Sequence, residues 1–220
     1  MAWDALWVHY FPQFVGGLEV TLGITAGAFA LAMVWGLLLA VARLSPWPVL
    51  RGAADTYVTV IRAVPVLVLL FLIYYVVGQV GFLQLNGFLS GVVTLGLFYA
   101  AIYSEIFRGG IQGVERGQVE AALALGLDGP TRLRRVILPQ AIFAILPPGT
   151  NQLANLIKDT SLVMTIGVGD LMMQAYKAGS TTFEYLNMFV FAGVFYFALY
   201  LLVSRGIVRW EDRVRQQRHG

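Results

Sequence analysis

From Val20 to Ala42 the chain carries no acidic or basic residue, and a helix needs only about 20 mostly apolar residues to cross the hydrocarbon core of a bilayer. Ala63 to Ser104 is a longer uncharged run, interrupted by Gly78, Gln79, Gly81, Gln84, Asn86 and Gly87. Turn-forming residues at that length end one span and open the next. Val136 to Ile157 is uncharged too, but contains Pro139, Pro147, Pro148 and Gly149; a span here is expected to start near Pro139 and to be kinked or broken midway. Tyr185 to Ser204 completes five expected spans. Composition agrees: 58% of the 220 residues are hydrophobic and 12% charged, against roughly a quarter charged in soluble domains. The fold class is all-α and integral to a membrane.

Short cytoplasmic loops carry an excess of Lys and Arg. Arg43 and Arg51 fall in the first connection, Arg108, Arg116, Arg132, Arg134 and Arg135 in the third, and five arginines between Arg205 and Arg218 in the tail. The second connection has none, which places the amino terminus outside and the carboxyl terminus inside. Lys158 and Lys177 fall externally but are offset by Asp159, Asp170 and Glu184. The net charge of +3 therefore reflects topology, and no nucleic-acid motif accompanies it. With no cysteine, disulfides and thiolate chemistry are excluded; His9 and His219 are too isolated for a metal site. The first apolar run is too long for a cleaved leader and lacks its basic flank.

Three regions follow. Residues 1–17, with Trp3, Trp7, Tyr10, Phe11 and Phe14, suit the outer headgroup interface, where aromatic rings concentrate. Residues 18–208 form one membrane domain, and residues 209–220 a basic inner tail.

Between the third and fourth spans lies a polar interval. Glu120, Ala121 and Ala122 open a helix-friendly stretch, and Gly126 and Leu127 close it ahead of Asp128, Gly129 and Pro130, since glycine followed by proline ends helices. Ala121, Ala122 and Gly126 are small enough to let another surface approach the backbone. A second short amphipathic piece, Thr131 to Leu138, returns the chain to the bilayer.

Glu-Ala-Ala, then Gly126, then Val136-Ile137-Leu138-Pro139 resembles the signature loop of ABC importer permeases, with valine in the isoleucine slot. Arg62-Ala63-Val64-Pro65, Glu105-Ile106-Phe107-Arg108-Gly109-Gly110 and Lys158-Asp159-Thr160-Ser161-Leu162 are similar to motifs of the polar amino acid permeases, the family of histidine, glutamine and arginine uptake. The resemblance implies a type I importer fold in the inner membrane, in which residues 116–139 form a coupling helix seated on a separate ATP-binding subunit. It further implies a second permease, identical or homologous, and an extracytoplasmic solute-binding protein. ATP and Mg belong to the partner, since this chain has no Gly-x-x-x-x-Gly-Lys phosphate loop.

Substrate contact is expected after the proline break, because broken helices in transporters aim their ends at charged ligand groups. Gln152, Asn155 and Asp159 share one face there, joined by Thr160 and Ser161; the resemblance also implies that third-span residues face the pathway, here Tyr99 together with Leu95, Phe98 and Tyr103. Hydrogen bonding between helices is the equal alternative. The apolar, aromatic third span leans towards a neutral or aromatic-tolerant substrate. Arg62 and Pro65 read as the start of the second span, and Glu105 and Arg108 as an i,i+3 pair with a gating or structural role. The rival functions are a passive channel, which has no use for an ATPase socket, and an intramembrane enzyme, for which no convergent catalytic groups exist. An opine or other small polar solute is an alternative cargo.

Overall fold

The computed structural model describes residues 3–78 and 84–219, with side chains described over 7–78 and 84–206. Much of the second connection and the side chains of the basic tail fall outside these. Among the described residues there are helices and connecting segments, and no strand.

α1 (Trp3–Leu44) is one helix of 42 residues. From Trp3 onward, the segment expected to lie along the interface is continuous with α1 as its amino-terminal part. Its side chains explain why it does not peel away: Trp7, Tyr10 and Phe14 pack on Leu171, Ala175, Met188 and Phe191, a contact that sequence spacing alone does not disclose.

α1 runs parallel to α4 (Gly87–Gln112): Gly23 meets Phe88, Gly27 meets Val92, and Gly36 lies against the backbone of Ala100. Ala28, Ala32, Gly36 and Ala40, four residues apart, form a ridge of small side chains, all buried. In a bilayer, apolar burial contributes little between helices, so close backbone approach at small residues holds them together.

The first connection contains a helix that the sequence reading missed. α2 (Pro48–Ala63) buries only Ala54 and Val58, against Leu39, Ala100 and Ala101. After Val64 and Pro65 the chain turns through 103° into α3 (Val66–Phe71), continued by π-helical turns over Leu72–Val77. Arg62 therefore lies in the last turn of α2 and not within the second span, whereas Pro65 stands at the start of the following helix as the N-cap of α3; α2 stops because the residue before a proline, Val64, is driven out of the helical region.

α4 leads through a short turn into α5 (Arg116–Ala124), then α6 (Gly129–Arg132) and a π-helical turn over Leu133–Ile137. α7 (Leu138–Asp159) runs unbroken with Pro147 and Pro148 inside it, which corrects the expected mid-span break. Neighbouring helices sustain a membrane helix across a proline. Here α4 does so: Gly110 packs against Ile145 and Ala141, and the Tyr103 hydroxyl donates to the Gly149 carbonyl at 2.8 Å. A 3₁₀ segment (Thr160–Ile166), α8 (Leu171–Thr182) and α9 (Tyr185–His219) complete the chain.

Trp7–Leu44, Gly87–Gln112 and Tyr185–Gly206 are long and apolar enough to cross a membrane. The α2–α3 pair meets the same test only as a bent unit. α7, 22 residues long, reaches about 33 Å at 1.5 Å per residue, and is sufficient by length.

Candidate functional site

α5 is fastened to the rest of the molecule through one buried side chain, Ala122, at 3% exposure. Glu120, Ala121 and Gly126 are exposed, as are Leu123 and Leu125, while Leu127 is half-buried. The helix ends as glycine chemistry requires. Gly126 has φ +72°, its N–H donates to the Leu123 carbonyl and that of Leu127 to the Ala122 carbonyl, the paired bonds of a Schellman stop. Pro139 lies exposed in the first turn of α7, where a missing N–H costs nothing. The result is a protruding knob with an apolar rim, joined at both ends to long helices.

Beside the end of α4 that leads to this knob is a cluster of charges. The expected Glu105–Arg108 pair is present at 2.9 Å, but it belongs to something larger. Arg43, from the last turn of α1, donates to Asp55 at 2.6 Å, to Ser104 at 3.2 Å and to Glu105 at 3.0 Å. Arg62 stands 3.7 Å from the same Glu105 oxygen. The sequence reading recognised Glu105, Arg108 and Arg62 and missed Arg43 and Asp55. A charge-free run ending in arginine was read only as topology, and nothing in spacing shows that α2 folds back upon it.

The expected substrate face is only partly free. Tyr99, buried at 1% exposure, donates to Asp159 at 2.8 Å. Thr160 is fully buried, and its hydroxyl donates to the Ile157 carbonyl. Gln152 accepts weakly from Asn155 at 3.4 Å, and both are half-buried, as is Ser161. Tyr99 and Asp159 are thus brought together, but as a tie between helices. Leu95, Tyr99 and Tyr103 are core residues, and Tyr103 also lines the cavity described next. An apolar cavity of about 150 Å³ lies between α1, α4 and α7, lined by Phe29, Met33, Phe107 and Ile145 among others.

Asp170, counted in the sequence only as one of the acidic residues offsetting Lys158 and Lys177, is fully buried. It caps α8, accepting from the N–H groups of Met172 and Met173, and also from the Tyr196 hydroxyl at 3.3 Å. Pattern recognition had access to its signal, an aspartate before an apolar helical run.

Several long apolar helices joined by an exposed helical knob define the class as a multi-pass membrane protein. The chain belongs to the family described as the binding-protein-dependent transport system inner membrane component, which it matches over residues 32–216. It is 35% identical over 193 residues to the arginine transport system permease protein ArtQ of Bacillus subtilis, covering 88% of each chain. It is 37% identical over 211 residues to the glutamate/aspartate import permease protein GltK of Escherichia coli O6:H1, covering 92% of this chain and 93% of the relative. Among solved structures, an amino acid ABC transporter crystallised with histidines superimposes with a TM-score of 0.88 at 36% identity, over 94% of this chain and 96% of the other. The methionine transporter MetNI, in an inward-facing form, shares the fold, with a TM-score of 0.77 at 22% identity over 93% and 97%.

Proposed function

We propose that this chain is the membrane-spanning subunit of an ATP-driven importer of amino acids. The single observation that carries the reading is the α5 knob, exposed on nearly every side and closed at Gly126, in a chain of this family. In this reading α5 sits in a groove of a separate ATP-binding subunit, with Glu120, Ala121, Ala122, Gly126 and Leu127 at the contact and Pro139 fixing the return. ATP and Mg are handled by that subunit. A second permease copy or homologue completes the pathway, and a solute-binding protein delivers cargo from outside. The amino terminus lies outside and the carboxyl terminus inside, as the arginine distribution requires. The relatives named above are amino acid permeases, which supports that cargo class and lends nothing to an opine.

The role of Asn155, Gln152, Asp159, Thr160 and Ser161 in substrate contact is weaker than the coupling role. Its premise was a broken helix, and α7 is continuous. Asn155 and Gln152 remain the better candidates because both residues are half-buried and only loosely paired.

The test is uptake of labelled arginine, glutamine and glutamate into proteoliposomes holding the assembled transporter. ATP-dependent accumulation of at least one supports the reading. Equilibration without ATP supports the channel instead.

A further inference from the structure

Glu105 is a carboxylate shared by guanidinium groups from three helices. Its Oε2 accepts from Arg108 on α4. Its Oε1 accepts from Arg43 on α1 at 3.0 Å, while Arg62 on α2 stands 3.7 Å away, beyond hydrogen-bond distance. With Asp55, the cluster sets two carboxylates against three arginines, so one cation is always under-partnered. In this structure it is Arg62, whose side chain is 52% exposed, whereas that of Arg43 is 9% exposed.

Beyond the cluster, α2 is fastened by two buried side chains, by the Tyr57 hydroxyl donating to the Leu97 carbonyl at 3.0 Å, and by the Tyr57 ring meeting Trp35 edge-on. The 103° bend follows it directly. Arg43 spans this joint. One edge of its fork holds Asp55 of α2 and another holds Ser104 and Glu105 of α4. A guanidinium meets three acceptors in fixed directions, which an ammonium on a flexible stem does not reproduce. Because Arg43 is nearly buried, losing one acceptor leaves its charge poorly compensated, so intermediate positions of α2 are disfavoured.

We propose that Arg43 is a positioning residue of the transport cycle: it sets the register of α2 on α4, and Arg62 is the competing donor that takes the same Glu105 oxygen when α2 shifts. α4 runs on from Glu105 and Arg108 to its end at Gln112, and α5 starts at Arg116, so the register of α2 is tied to the position of the knob. The last step rests on α5 being the ATPase-facing helix, as proposed above.

The chain has no cysteine, so spin labels enter at Thr56→Cys on α2 and Ile111→Cys on α4 without further changes. The assembled, reconstituted transporter is compared with its Arg43→Lys, Asp55→Asn and Arg62→Gln variants, reading the label distance, ATP hydrolysis and uptake. Arg43→Lys and Asp55→Asn are expected to broaden the distance distribution and to lower uptake per ATP hydrolysed by roughly tenfold, within the usual range of coupling effects. Arg62→Gln alone leaves the resting distance unchanged, and added to Arg43→Lys it broadens the distribution further. A merely structural role lowers hydrolysis and uptake together and leaves their ratio unchanged. Asp55 is half-exposed, so Asp55→Asn retains the fold and decides the matter if Arg43→Lys fails to assemble. Unchanged distance and unchanged ratio in the variants that assemble overturn the proposal. The distance needs neither ATP nor solute, so absence of uptake by the unaltered transporter counts against the importer reading alone.

Discussion

Tyr99 donates to Asp159 at 2.8 Å, joining the middle of α4 to the last residue of α7. The bond turns a residue expected to meet substrate into a brace. Tyr99→Phe is expected to destabilise the solubilised chain by about 1 kcal/mol, the scale of interhelical hydrogen bonds in bilayers, read as a lowered thermal midpoint. Asp159→Asn keeps an acceptor and costs less. If Asp159→Asn instead changes which amino acids are transported while the midpoint is unaltered, the brace is the wrong account and Asp159 belongs to the substrate site.

Glycine positions divide by what surrounds them. A methyl group at Gly110 meets the Ile145 side chain and, at 3.2 Å, the Ala141 carbonyl, whereas one at Gly52 meets nothing within 4 Å. Gly110→Ala is expected to force α4 from α7 and cost about 1–3 kcal/mol, as overpacking does. Gly52→Ala gains up to about 1 kcal/mol from helix propensity. Thermal midpoints moving in opposite directions are the check.

Asp170 offers the clearest case of a cap at a distance from other function. Asp170→Ala removes the acceptor of the Met172 and Met173 N–H groups and of the Tyr196 hydroxyl, and is expected to cost about 1–2 kcal/mol. Asn restores most of this. Hydrogen exchange at the first turn of α8 accelerates in the alanine variant; protection equal to that of the unaltered chain contradicts the capping role.

The three strongly apolar helices and the knob were legible in the sequence, because apolar runs and the Glu-Ala-Ala to Gly126 spacing are local signals. What escaped depends on distant neighbours. Pro147 and Pro148 looked like a break until α4 was seen to brace the helix through Gly110 and Tyr103. The apolar face of α2 was hidden in a connection read for its charges, and Arg43 acquires its partners only once α2 folds beside α4. Asp170 shows the opposite failing: its capping signal was local, but its burial depends on α1 and α9.

Gly126 tests the shape of the knob. With φ +72° and no neighbour within 4 Å of an added side chain, substitution costs only backbone strain, about 1–2 kcal/mol. Gly126→Asp is therefore expected to distort the end of α5 while the membrane helices stay folded, and Gly126→Asn to be milder. An unchanged circular dichroism spectrum with weakened ATPase binding is the expected pair of results.

The most direct measurement is co-purification of the tagged chain from detergent-solubilised native membranes, beside a Glu120→Ala and Gly126→Asp double variant of equal abundance. The account predicts that an ATP-hydrolysing subunit accompanies the unaltered chain and is lost from the double variant. Recovery of the unaltered chain with no ATPase, or equal recovery of the ATPase with both, would contradict it.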